Sequence, residues 1–266
     1  MRVAGDDPGD GPLVVAYGLG VDSTAVLVEF ARLGIRPDLI LFADTGDEKP
    51  ETYAFLPVMQ EFLARHGMPA VVTVRYSPKH DRYLTLEENC LANRTLPSLA
   101  FGRKACSQKF KVAPQNAYVS EWSPAQRAWA MGQQVRKVIG YDAGPADMRR
   151  GKDLKPCKRY SYWYPLRDWG WDREQCKRAI VEAGLPLPCK SACFYCPASQ
   201  THEIDSLIVD HPDLAARIVT MEDLARPKLK KIEGLWRKSR KRDGRPGSMA
   251  DYIRRRLPIL TTIAAE

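Results

Sequence analysis

Residues 13–30 read LVVAYGLGVDSTAVLVEF, and the fold class follows from them. The first five residues are an apolar run with adjacent Val14 and Val15, the composition of a strand buried on both faces. Gly18 and Gly20 break the run, and Asp22, Ser23 and Thr24 then offer N-cap oxygens. Behind them Val26, Leu27, Phe30 and Ala31 recur at helical spacing. A strand, a glycine bend and a helix start make an anion site, because unpaired N–H groups and the helix dipole face the bend. The stretch has no Gly-Lys-Ser/Thr of a Walker A loop and no third glycine of a dinucleotide fingerprint.

Beyond this stretch, Gly34 to Pro37 read as a turn and residues 38–43, DLILFA, as a second buried strand. Pro50 suits the first turn of a helix carrying Phe55, Met59, Phe62 and Leu63 on one face and ending near His66-Gly67. A third strand follows at residues 71–76, and residues 137–142 read as another strand running into a turn. Residues 84–111 read as polar and irregular. A helix from Asp172 to about Ala183 puts Cys176 on its packed face. Strand and helix alternating at this spacing give an α/β fold with a parallel, doubly wound sheet. Ligands of such sheets sit at the carboxyl ends of strands, where residues 18–23 and 44–46 fall.

The composition bounds the partners. Hydrophobic content of 44% and charged content of 27% are ordinary for a globular protein. No leader pattern and no apolar run of membrane length is present, so we expect a cytoplasmic protein. The net charge of +9 is local: residues 226–256 carry 13 Lys and Arg against Glu233, Asp243 and Asp251, leaving the rest near neutral. A neutral body with a basic, helical segment at 201–266 predicts a polyanionic partner, nucleic acid first, with Trp236 and Tyr252 available to stack on bases. The expected division is a flexible 1–12, a nucleotide domain at 13–200 and this segment.

Seven cysteines argue against a disulfide framework. Cys189, Cys193 and Cys196, ahead of Pro197, have ligand spacing for zinc or an iron–sulfur cluster, with Cys106 available upstream as a further ligand. Around Cys106 stand Arg103, Lys104, Lys109 and Lys111. Nearby cations would lower its thiol pKa, or would serve as phosphate ligands. Cys90 and Cys157 are ordinary thiols or substitute ligands.

The bend Gly18-Leu19-Gly20-Val21-Asp22-Ser23 resembles the Ser-Gly-Gly-x-Asp-Ser loop of the ATP-pyrophosphatase (PP-loop) superfamily. Ala43-Asp44-Thr45-Gly46, then Pro50-Glu51-Thr52-Tyr53, looks like the motif after the second strand in its PAPS-reductase branch. Gly140 with Arg149 and Arg150 resembles that branch's Gly-Ile-Arg-x-Asp-Glu-Ser-x-x-Arg signature in part, with Tyr141, Asp142 and Ala143 departing from it. The resemblance covers most of the chain and implies the adenine nucleotide alpha hydrolase-like fold. It also implies phosphates on the backbone of Gly18, Gly20, Val21, Asp22 and Ser23, and adenine against Ala43, Asp44, Thr45 and Gly46, with Gly140 and Arg149 in the same site. Val21 stands where the family often has a lysine, so Arg103, Lys109 and Lys111 become the expected cations. Cys106 ahead of Lys111-Val112-Ala113-Pro114, with Cys193 and Cys196, is similar to the cluster-binding arrangement of APS reductases. It implies a 4Fe–4S cluster, zinc being the alternative, with Cys189 as the fourth thiolate.

The preferred reading is an ATP pyrophosphatase that adenylates DNA or tRNA, with Mg²⁺ across the phosphates, to activate it for sulfur incorporation. Asp22 and Asp44 are expected to hold Mg²⁺ or ribose, and Ser23 to donate to a phosphate oxygen. A sulfur donor such as a cysteine desulfurase is an expected partner, and an oligomer is open. The alternatives are an assimilatory APS/PAPS reductase-like or other small-molecule adenylating enzyme, and a nucleic-acid-binding module with a vestigial nucleotide site. The reductase of this type uses a late Glu-Cys-Gly-x-His cysteine, and no cysteine follows Cys196 in this sequence.

Overall fold

The structure is a computed structural model that describes residues 10–78, 83–97, 99–100, 103–150 and 157–263. In chain order the elements are β1 (Leu13–Ala16), α1 (Val21–Leu33), β2 (Leu39–Asp44), α2 (Pro50–Arg65), β3 (Val71–Arg75) and α3 (Leu86–Asn93). A two-stranded ribbon of β4 (Leu99–Ala100) and β5 (Arg103–Lys104) and a π-helical turn, Ser107–Val112, lead to α4 (Ala113–Glu121) and α5 (Ser123–Ala130). Then come β6 (Val135–Ile139), α6 (Pro145–Arg150), β7 (Tyr160–Trp163), α7 (Pro165–Asp168) and α8 (Arg173–Glu182). The last helices are α9 (Thr201–Asp210), α10 (Pro212–Ala225) and α11 (Met249–Ile263). No described helix is long and apolar enough to cross a membrane.

The chain divides into two compact units. Unit 1 comprises Met1–Asp44, Glu48–Arg75 and Val112–Ser191; unit 2 comprises Thr45–Asp47, Tyr76–Lys111 and Ala192–Glu266. Unit 1 holds the expected parallel sheet, in the order β3-β2-β1-β6-β7. β1 and β2 are buried on both faces because helices cover both, and one core joins Val15, Phe30, Ile40, Met59, Leu63, Val138 and Ile180. A second core on the other face joins Val14, Leu41, Val119 and Val135. The strand order reverses between β1 and β6, which is where a doubly wound sheet opens a ligand crevice. Cys176 is fully buried in the first core, as its spacing predicts.

Unit 2 is helical around its own core of Leu86, Phe110, Phe194, Ile204, Ile218, Met221 and Trp236. The stretch read as irregular contains α3, started by a capping box in which Thr85 accepts from the Glu88 N–H and Glu88 accepts in return from Thr85. The box is legible in the sequence, where Thr85 stands three residues before Glu88. An apolar face is not, since α3 is short and mostly polar. Residues 1–9 of the expected flexible N-terminus, and the side chains of Arg103 and Arg150, lie outside what is described.

Candidate functional site

In unit 1 the bend after β1 presents the start of α1. Gly20, not Asp22, Ser23 or Thr24, is the N-cap, and no side chain caps the helix. Ser23 is tied inward instead: its Oγ accepts from the Gly18 N–H at 3.2 Å and donates to the Gly20 carbonyl at 3.3 Å. The Thr24 hydroxyl shares a hydrogen bond with the buried Tyr17 phenol at 3.1 Å. Among the described residues, the N–H groups of Val21, Asp22 and Ser23 have no protein partner. Those are the donors a helix N-terminus offers to an anion. A Cβ on Gly18 or Gly20 would meet nothing closer than 3.8 Å and 3.5 Å, so the approach is open. Gly140, at the end of β6, is close-packed: a Cβ there would lie 2.8 Å from the Ser23 nitrogen. The Val21 side chain points into the core, which explains why no cation stands at this position.

Beside the bend a group of carboxylates forms that spacing did not reveal. Asp22, Asp142 and Asp147 bring one oxygen each within 4.8 Å of one another, an arrangement that fits a divalent cation taking oxygen ligands. Arg173, the first residue of α8, donates to both Asp22 oxygens at 2.7 Å. Burial pushes the Asp22 pKa up, Arg173 opposes it, and the Asp142 and Asp147 charges add to the rise. Asp142 Oδ1 accepts from the Gly144 N–H at 2.8 Å. Asp142 counts only as a departure from the family signature in the sequence; Asp147 and Arg173 carry no local signal there at all. Asp44 stands outside this group, holding the Tyr53 hydroxyl at 2.7 Å and Arg75 Nε at 2.8 Å. Ala43 is buried in β2 and Arg149 is exposed on α6.

In unit 2, Thr45, Gly46 and Asp47 form a tight turn. Gly46 has φ +82°, and a Cβ on it would strike Thr85 at 2.4 Å. Asp47 accepts from the Tyr195 hydroxyl and the Glu87 N–H, both at 2.6 Å. Burial pushes its carboxyl up to about 6. Thr45 Oγ1 lies 3.2 Å from Cys193 Sγ. Cys106 and Cys196 interact electrostatically, and so do Cys106 and the buried Cys90, whose thiol burial pushes up to about 12. The expected lowering of the Cys106 pKa is absent: burial raises it, then Cys196, and Lys104 and Lys111 only partly offset this. Lys109 donates to the Tyr83 hydroxyl at 2.6 Å and lies over the Tyr76 and Tyr83 rings; Lys111 is half-buried. Cys189 belongs to unit 1, its Sγ 3.4 Å from Thr52 Oγ1. A tetrahedral zinc site needs thiolates about 3.8 Å apart. Among the described residues no three cysteine sulfurs come within 4.8 Å of one another, the spacing a single ion needs, whereas the three aspartates do.

Two of the C-terminal expectations change. Trp236 is a core residue, buried with its N–H donated to the Ser199 carbonyl at 2.8 Å, and cannot stack on a base. Tyr252 packs edge-on against Trp236 and bonds Asp205. Residues 229–248 are not helical, so the basic segment is two helices and an irregular loop before α11.

Residues 12–140 match the phosphoadenosine phosphosulfate reductase domain. No curated protein matches the chain. Among solved structures, the U34-tRNA thiolase NcsA from Methanococcus maripaludis with its 4Fe–4S cluster is similar at 14% identity and a TM-score of 0.38, over 95% of this chain and 82% of that one. That likeness is too low for the thiolase's chemistry to be carried across. The domain match spans β1, the glycine bend, β2 with its following turn, and β6 to Gly140, just under half of the chain.

Proposed function

We propose that unit 1 binds ATP by its triphosphate and transfers AMP to an acceptor oxygen with release of pyrophosphate, activating the acceptor for sulfur incorporation. The observation that carries this is the open first turn of α1 beside the Asp22, Asp142 and Asp147 carboxylates, at the point where the strand order reverses. The N–H groups of Val21, Asp22 and Ser23 donate to phosphate oxygens, and their fixed dipoles stabilise charge as the α-phosphorus is attacked and the bond to pyrophosphate breaks. The Ser23 hydroxyl turns from the Gly20 carbonyl to a phosphate oxygen. Arg173 holds the Asp22 carboxylate in place. The three aspartates would hold Mg²⁺, which neutralises phosphate charge when bound. Ala43, Asp44, Thr45 and Gly46 are proposed to receive the adenosine, with Gly140 and Arg149 completing the site, and Lys109 and Lys111 are the proposed further cations.

Cys106, Cys193 and Cys196 are proposed as ligands of an iron–sulfur cluster, with Cys189 the fourth ligand and Cys90 its competitor. Held by Cys106, Cys193 and Cys196 alone, the cluster would leave one iron open to carry sulfur when bound, whereas Cys189 as a fourth thiolate would close it. A single-ion zinc site would require these thiols to close up from their present spacing. The proposed acceptor is nucleic acid, DNA or tRNA.

The test is anaerobic purification with iron, sulfide and zinc analysis, then pyrophosphate release from ATP with DNA, with tRNA and with no acceptor. Asp22→Asn should lower pyrophosphate release at least about 100-fold with iron and sulfide content unchanged. Unchanged turnover would reject the bend, and sulfite release from APS or PAPS would establish the reductase instead.

A further inference from the structure

Twelve of the thirteen cations of residues 226–256 fall into two sets, and Arg255, exposed on α11 and without an ion pair among the described residues, belongs to neither. Arg226 pairs with Asp251 at 2.9 Å, Arg254 pairs with Asp223, and Arg256 pairs with Asp205 at 2.9 Å. These arginines are internal to unit 2: they tie α11 to α9 and α10. Lys228 is likewise spent on the Asn93 carbonyl, Arg240 on Asp243, and Arg245 lies over the Trp236 ring. The second set is Lys230, Lys231, Arg237, Lys238, Lys241 and Arg242, all in the loop at 229–248. Among the described residues none of the six forms an ion pair, although Lys238 is near enough to Glu233 to help lower its pKa. All but the half-exposed Arg237 are exposed.

That loop is built, although it is not helical. Glu233 accepts from the Ser239 and Gly247 N–H groups at 3.0 Å and 3.1 Å, and its own N–H donates to the Arg237 carbonyl at 2.7 Å. Arg240 and Arg245 form a bridge, with the Arg240 N–H donating at 2.7 Å. Leu235 and Trp236 anchor the loop in the core of unit 2, and Arg237 is held at φ +70°. A solvated lysine-rich tail would have none of these bonds. Cations fixed in place lose little conformational freedom when a ligand arrives. The loop offers charge and no free ring, since Trp236 is buried and the Tyr252 hydroxyl is bonded.

We propose that residues 229–248 form a docking surface for the phosphate backbone of nucleic acid, reading charge and not sequence, while the paired Arg226, Arg254 and Arg256 serve the fold alone. This deepens the nucleic-acid acceptor proposed above and rests on that reading for its purpose, though not for its measurement. The full chain is titrated by fluorescence anisotropy against a mixed-sequence DNA duplex, a tRNA and polyglutamate, between about 50 and 200 mM salt. Replacing Lys230, Lys231, Lys238, Lys241 and Arg242 together with Gln should weaken duplex binding about 30-fold or more and flatten its salt slope by about 4. Arg226→Gln with Arg254→Gln should lower the melting temperature yet keep the slope. Unchanged binding in the five-site variant, equal loss of slope in the arginine pair, or tighter binding of polyglutamate than of either nucleic acid would each overturn the proposal. Acceptor-free pyrophosphate release should persist in the five-site variant. If the parent chain releases none but still binds through the loop, the adenylation reading fails and the surface stands.

Discussion

Gly140 acts on the bend through packing, having no side chain of its own. Its missing Cβ lets the end of β6 lie against the Ser23 nitrogen, where any side chain would be 2.8 Å away and facing backbone. Gly140→Ala must therefore shift the bend, at about 1–3 kcal/mol of stability. We expect the KM for ATP to rise at least about 10-fold, and an unchanged KM would show that the bend is not where ATP binds. Leu19 makes the opposite trade. It sits at φ +57°, a left-handed conformation costing about 1–2 kcal/mol for a residue with a Cβ. Its side chain is wholly buried, worth about 2–3 kcal/mol, so burial wins and leucine is tolerated there.

Among the elements, α11 depends on a carboxylate from α10. Glu222, 1% exposed, accepts from the Met249 and Ala250 N–H groups at 2.9 Å and 3.0 Å, and from the Ser248 hydroxyl and the Leu235 N–H, both at 2.5 Å. The first-turn amides of α11 are thus satisfied by a charge from another helix instead of by a local cap. Gly234 leaves the room: a Cβ there would lie 2.5 Å from Glu222 Oε1. Glu222→Gln turns an NH₂ group toward these donors and should cost about 3 kcal/mol or more in urea unfolding. A loss below about 0.5 kcal/mol would mean that the network is not what holds α11. Ordinary caps such as Thr85 with Glu88 are readable along the chain; this one is not, because donor and acceptor are 27 residues apart.

For the molecule as a whole, the response of stability to pH separates the units. Asp47 in unit 2 is raised to about 6 by burial, so folding takes up a proton there between about pH 4 and 6. That contribution is fully present below the unfolded value and is lost as pH rises through 6, by about 3 kcal/mol. Lys137 in unit 1, lowered to about 8 by burial, acts in another window: its contribution appears as pH climbs from 8 towards 10.5. Asp47→Asn should remove the decline between about pH 4 and 6 and leave the alkaline limb intact. If the decline persists in that variant, Asp47 is not its source. The measurement is urea unfolding of the full chain across that range.

Short-range order along the chain was enough to define the parallel sheet, the glycine bend and the packed Cys176, because strand and helix periodicity and punctuating glycines act over a few neighbours. It also located the local charge excess and the spacing of Cys189, Cys193 and Cys196. Folding in three dimensions was needed to bring Asp142 and Asp147 to Asp22 and to bury Trp236. It alone separated the arginines that pair across helices, Arg226, Arg254 and Arg256, from the six unpaired cations of the loop at 229–248, since pairing across helices is a matter of distance in space, which one-dimensional spacing does not encode.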